Sequence, residues 1–153
     1  NVPYTMRYSN CFWKRDTKEE ERVYNEMIVD KSKKFAFVHD EPGRGFVIDK
    51  KNISPNMEII ENNPKENIFN LGLVLERASE IHVMESSIRN MIETLNTSNA
   101  KYFFYKFSHV PWGVLPYYHK KKQTFIGTSK NWIIRDLIEV KIKKNWLNKI
   151  FRF

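Results

Sequence analysis

The chain has 153 residues and a mass of 18.4 kDa, with 41% hydrophobic and 29% charged side chains. That is the composition of one domain able to bury a core, and it excludes a disordered or collagen-like segment. The net charge of +8 is local, because residues 120–153 hold ten basic side chains against only Asp136 and Glu139, leaving residues 1–119 neutral.

Residues 1–15 mix aromatic and basic side chains without a period. Asp16 followed by Glu19 then reads as a capping box that opens a helix to about residue 34, with Val23, Met27 and Ile28 on its apolar face. Residues 35–39 form a short apolar run that ends in Glu41-Pro42-Gly43-Arg44-Gly45, the pattern of a buried strand entering a turn. A second short strand is expected over 46–49, a turn over 52–56, a weak strand over 57–60 and a loop over 61–65. Ile68, Leu71, Leu75 and Ala78 recur at helical spacing, residues 80–84 read as a strand, and Ile88, Met91, Ile92 and Leu95 give a second helical stripe directly after Ser86-Ser87. An aromatic, β-rich run follows over 101–107. Helix, strand, helix, strand at this length predicts an α/β fold, a Rossmann-like parallel sheet flanked by helices.

Residues 108–129 are loop-rich, with Pro111, Gly113 and Pro116, and residues 131–149 are expected to form a basic helix. Ile133, Ile134, Leu137, Ile138, Leu147, Ile150 and Phe151 would make its apolar stripe, between lysines and with Trp132 and Trp146 suited to the level of lipid headgroups. Such a stripe either packs on the domain's own sheet or makes a peripheral membrane contact through residues 130–153.

No run of apolar residues is long enough to span a bilayer, and residues 1–10 lack a signal-peptide pattern. Cys11 is the single cysteine and cannot form an internal disulfide, which points to a reducing, cytoplasmic setting. The four histidines have no zinc spacing, and Asp40 and Glu41 are adjacent and would point to opposite faces of extended chain, so no metal and no cofactor is expected.

Two segments can carry chemistry. Ser86 and Ser87 sit where a strand ends and a helix starts, a place suited to a phosphate, although either serine also serves as an ordinary N-cap. The segment from His39 to Phe46 also follows a strand and offers Gly43 and Arg44, a flexible backbone and one guanidinium suited to phosphate. It matches neither a Walker loop nor a dinucleotide fingerprint, and a tight turn with a solvated arginine is the plain alternative. His39 and His82 both lie at strands, where a histidine is more often a hydrogen-bonded core residue than a base. Tyr117 to Lys122 mixes aromatics and lysines, but no RNA-binding motif accompanies it and nucleic acid is disfavoured as a partner.

The succession FAFVHDEPGRGF over 35–46, IFNLGLVL over 68–75 and above all ERASEIHVMESSIRNMIETL over 76–95 resembles the donor-binding C-terminal half of GT-B glycosyltransferases, and the resemblance spans about residues 35–107. It implies that Ser86 and Ser87 open the helix facing the diphosphate of a nucleotide sugar. The His-x-x-x-x-Arg-Gly segment is similar to a loosened form of the His-x-Arg-Arg-Gly strand end of fucosyltransferase-like enzymes, with Arg44 in place of the arginine that holds the diphosphate. The substrate-binding residues so implied are His39, Gly43, Arg44, Ser86 and Ser87, and no catalytic base is assigned.

A GT-B enzyme works between two lobes and this chain is one lobe long. The expectation is therefore residues 1–34 as connector and N-terminal helix, 35–129 as the nucleotide-sugar-binding domain and 130–153 as the basic helix. Asn1 in place of Met fits a piece of something longer. The implied function is binding of a nucleoside-diphosphate sugar, with transfer to a glycan or lipid-linked acceptor when a second lobe or a protein partner supplies the other half. The alternative is a non-catalytic structural or interaction module that docks on a larger assembly through its basic C-terminus.

Overall fold

A computed structural model describes residues 13–97, 99–106, 118–119, 124–125 and 132–139. Among them are strands β1 (Phe35–His39), β2 (Phe46–Val47), β3 (Glu58–Glu61), β4 (Glu80–Met84), β5 (Lys101–Lys106), β6 (Tyr118–His119), β7 (Thr124–Phe125), β8 (Trp132–Asp136) and β9 (Ile138–Glu139). The helices are α1 (Thr17–Met27), α2 (Gly72–Arg77) and α3 (Ser87–Ile92).

Five strands form one sheet in the order β3-β1-β4-β5-β8, every neighbouring pair parallel. The apolar runs end up as central strands because both of their faces are covered. In β4, Ile81 and Val83 join one core with Phe35, Phe37, Tyr102 and Phe104, while Met84 faces the other core with Ala36, Val38, Phe103 and Tyr105. The first core is sealed by α1, by the 3-10 turn over Ile68–Leu71, and by α2 and α3, through Val23, Leu71, Val74, Leu75, Ile88, Met91 and Ile92. The second is sealed by the segment between β1 and β3, through Ile48 and Ile53, and by Leu137. The step from β1 to β3 and the return step to β4 thus run in opposite directions over opposite faces, as a common right hand for both crossovers requires.

Several expectations change in detail. The Asp16 carboxylate does accept from the Glu19 amide at 3.2 Å, but α1 stops at Met27 because Ile28 turns extended, its amide closing on the Tyr24 carbonyl and its side chain entering the core. The strand expected over 46–49 is two residues long, pairs antiparallel with β9, and gives way when Asp49 caps a 3-10 turn over Lys50–Asn52.

The helix expected over 130–153 is corrected at its start, since residues 132–136 and 138–139 are strands. Ile133, Ile134, Leu137 and Ile138 fit a helical stripe on paper, but Trp132 and the adjacent β-branched pair favour extended backbone beside β5. There Trp132 is buried and Ile133 exposed, and Leu137 is tucked into the second core. The expected membrane stripe therefore does not exist over 132–139, and its remainder from residue 140 lies outside the described residues, as do most of 108–129.

Two polar networks fix the layers. Glu80 and His82 are fully buried on the second face of β4. Burial works to raise the Glu80 pKa, but the Ser54 hydroxyl at 2.6 Å, the Ser54 amide at 3.1 Å and His82 outweigh it and keep Glu80 ionised. Burial keeps the His82 imidazole neutral against the pull of Glu80. Nε2–H then donates to Glu80 at 3.2 Å, and Nδ1 accepts from the Tyr105 hydroxyl at 2.9 Å while the ring stacks on Phe103. His82 is thus the hydrogen-bonded core histidine.

On the helical face, Arg15 donates to both Glu20 of α1 and Glu76 of α2. Gly72 leaves just enough room for this clasp: a Cβ there would lie 2.7 Å from Glu20 Oε2 and 2.9 Å from Arg15 Nη2. Alanine is worth about 1 kcal/mol more than glycine in an open helix. Here Gly72→Ala should instead lower stability, by about 1 to 2 kcal/mol in urea unfolding, because it displaces a nearly buried carboxylate from its partner. A gain in stability would show that the clasp yields freely.

Candidate functional site

Parallel pairing brings the carboxyl ends of β3, β1 and β4 to one edge, and the chain leaves β1 toward β3 but leaves β4 toward β5. With the five strands taken in chain order the sheet reads 2-1-3-4-5, and in such sheets the diverging loops open a crevice between the first and third strands. A cleft of about 530 Å³ lies there, lined by His39 at the end of β1 and Glu41 and Arg44 beyond it, Asn62, Pro64 and Glu66 after β3, and Glu85, Ser86 and Ser87 after β4.

Four of the five residues implied by the resemblance line this one cleft. Arg44 is carried by a 3-10 turn over Pro42–Arg44 that Gly45 closes in the left-handed region at φ 84°, its amide bonded to the Pro42 carbonyl. The two chain ends of the turn are tied by paired amides between Glu41 and Phe46. The Arg44 guanidinium stands out in solvent over the Phe46 ring, with Nη1 donating to Glu41 at 2.7 Å.

Ser86 is extended and caps α3, its hydroxyl accepting from the Arg89 amide at 3.4 Å, so the N-cap reading accounts for that side chain. Ser87 is the exposed first residue of the helix. Gly43 is absent from this lining. It borders a neighbouring hollow of about 360 Å³ that shares His39, Glu41, Arg44, Asn62 and Pro64 with the first. A Cβ on Gly43 would meet nothing within 4 Å, so that position needs no glycine for space.

The sequence reading missed two residues. Asn62 and Glu85 each stand one position beyond the end of a strand, β3 and β4, and His39 is the last residue of β1. All three carry a side-chain atom that is shielded from solvent with no hydrogen-bond partner: His39 Nδ1, Asn62 Oδ1 and Glu85 Oε2. Leaving such an atom unpaired costs about 1 to 3 kcal/mol, and adjacent strand ends rarely accumulate three.

Burial holds His39 neutral by lowering its pKa, against the opposing pull of Glu41 and Asp40. It pushes the Glu85 carboxyl above the usual range, with Arg89 pulling the other way. The other two carboxylates of the cleft are engaged, Glu41 by Arg44 and Glu66 by Arg22 at 3.0 Å and the Asn70 amide at 2.9 Å. The topological rule places ligands outside the carboxyl ends of parallel strands, and it singles out Asn62 and Glu85 only once the strand order is known. Among the described residues no group of three or more His, Cys, Asp or Glu side chains could hold a metal ion, and no helix is long and apolar enough to cross a membrane.

Against models of known families, curated proteins and solved structures, the chain matches none.

A raised carboxylate pKa means that the folded state binds the proton more tightly than the unfolded chain. The Glu85 contribution is therefore least unfavourable at acid pH and becomes a cost as pH rises past the ordinary glutamate value of 4.5 and on through the folded value. Glu85→Gln removes that titration. The difference in melting temperature, variant minus wild type, should grow between pH 4 and pH 7. A flat difference would mean that Glu85 is not held in its shielded state.

Proposed function

We propose that the chain is the donor-binding lobe of a glycosyltransferase of GT-B type, fucosyltransferase-like, and that the cleft between β1 and β4 takes a nucleoside-diphosphate sugar. One observation carries the reading: Arg44 and the Ser86-Ser87 pair, more than 40 residues apart in the chain, line the same crevice at the carboxyl edge of the parallel sheet. Its volume suits a ligand of nucleotide size, for which pockets run from about 300 to 1,000 Å³.

In this reading the diphosphate lies toward Arg44, which exchanges its exposed contact with Glu41 for a charge-assisted grip on phosphate oxygen. An exposed ion pair of this kind is worth about 0 to 1 kcal/mol, so the exchange is cheap. In transfer, the same guanidinium would neutralise charge developing on the departing diphosphate, which is electrostatic stabilisation of a leaving group. His39 is held neutral by burial and is poised to hydrogen-bond without adding charge. The acceptor and the group that takes its proton belong to a second lobe or a protein partner.

Titration of the chain with uridine and guanosine diphosphates by calorimetry tests this. Binding is expected, and Arg44→Ala should weaken it by about 1.5 to 3 kcal/mol, the range for hydrogen bonds to charged groups. No heat at millimolar nucleotide, or an affinity indifferent to Arg44, would remove the donor-site reading.

A further inference from the structure

The end of the sheet opposite the cleft carries a different chemistry. The amino ends of β3, β1, β4 and β5 are tied in a row, the Glu58 amide donating to the Lys34 carbonyl at 3.0 Å, the Ser79 amide to the Phe35 carbonyl at 2.9 Å and the Lys101 amide to the Ser79 carbonyl at 3.0 Å. Lys34 and Lys101 therefore stand on one edge two strand spacings apart, about 10 Å. Arg77 joins them as the last residue of α2, two positions before Ser79, and Lys31 and Lys33 lie in the turn that enters β1. All five side chains are exposed.

The acids of this edge are few and mostly engaged. Asp30 is met by Lys33 at 3.2 Å, and Glu26 at the end of α1 by Arg22 at 2.8 Å, which leaves Glu58 against four cations. Among the described residues no ion pair engages Lys31, Lys34, Arg77 or Lys101. In their midst stands Val29, 87% exposed, against 48% or less for every other large apolar side chain on the described surface. Its position has a cause in the fold. Ile28 turns extended and buries its side chain, so the next residue points outward, and Asp30 then fixes the turn by accepting from the Ser32 amide at 3.0 Å and the Ser32 hydroxyl at 2.6 Å.

We propose that this amino edge docks on an anionic lipid surface, with Val29 entering between the headgroups and Lys31, Lys34, Arg77 and Lys101 lying on their phosphates. A bilayer answers both halves of the surface, anions for the cations and hydrocarbon for the valine. A nucleic-acid backbone answers only the charges, since valine has no ring on which a base could stack, and Tyr24 beside the turn is half-buried with the Lys31 ammonium 5.9 Å from its ring centre. The cleft lies a strand's length away, about 17 Å along the five residues of β1, and opens away from the lipid toward soluble ligands. The surface is distinct from residues 130–153, and the proposal does not draw on the donor-site reading.

Flotation of the full chain with vesicles of about one part phosphatidylglycerol to two of phosphatidylcholine, at about 0.15 M salt, tests it, with pure phosphatidylcholine as the neutral arm and polyuridylate and polyglutamate as rival anions. Wild type should float with the anionic vesicles and not with the neutral ones. The joint reversal Lys31→Glu, Lys34→Glu and Lys101→Glu should lower the partition roughly a hundredfold, since each cation near such a surface is worth about a factor of five. Val29→Ser should lower it about fivefold, and Val29→Trp should raise it, a gain that loss of the fold does not mimic. The substituted side chains are all exposed, so the melting temperatures should stay at the wild-type value. No flotation of the wild type, flotation left unchanged by either the charge reversal or Val29→Ser, or a polyanion that outbinds the vesicles and is indifferent to residue 29 would overturn the proposal.

Discussion

Everything in this molecule depends on parallel pairing around β1. A strand flanked on both sides by parallel neighbours forces each connection to return across a face of the sheet, so both faces are covered and the central strands are buried on both sides, largely by apolar side chains. The same constraint delivers all the carboxyl ends to one edge. Because the chain leaves β1 in one direction and β4 in the other, the loops part there and leave a crevice. The site is a consequence of strand order before it is a consequence of any side chain.

The two faces are finished in different ways. The helical face is closed by apolar side chains and the Arg15 clasp between Glu20 and Glu76. The opposite face is closed by irregular chain, whose backbone polar groups need partners that regular structure would have supplied. Glu80 provides them by accepting from both the amide and the hydroxyl of Ser54, and Asp40 does the same for the Ile48 amide at 3.0 Å. Buried Glu80 on β4 and half-buried Asp40 just past β1 therefore pin the covering segment to the sheet. The remaining polar atoms at the strand ends, on His39, Asn62 and Glu85, have no such employment within the described chain.

Much of this is legible in the residues. The largely apolar runs at 35–39, 80–84 and 101–106 are the strands of the sheet centre, where burial on both faces favours apolar side chains and admits Glu80 and His82 only because they are hydrogen-bonded. The serines after β4 and the arginine after β1 could be placed near a common edge from the alternation of helix and strand alone. Residues 132–139 could not, because four isoleucine and leucine positions fit a helical stripe as well as a strand, and only a partner such as β5 decides between them. Gly43 looked functional for its flexibility, yet it is Gly45 that takes the left-handed conformation and closes the turn. Asn62 and Glu85 were hidden because a polar residue after a strand reads as loop until the sheet order shows which strands are neighbours.

The most direct measurement of the central claim is a crystal structure of the chain soaked with a nucleoside-diphosphate sugar. The account predicts the ligand at the carboxyl ends of β3, β1 and β4, with its diphosphate within hydrogen-bond distance of Arg44. A ligand seated elsewhere while this crevice stays unfilled, or one whose diphosphate lies on Glu85 with Arg44 still paired to Glu41, would contradict it.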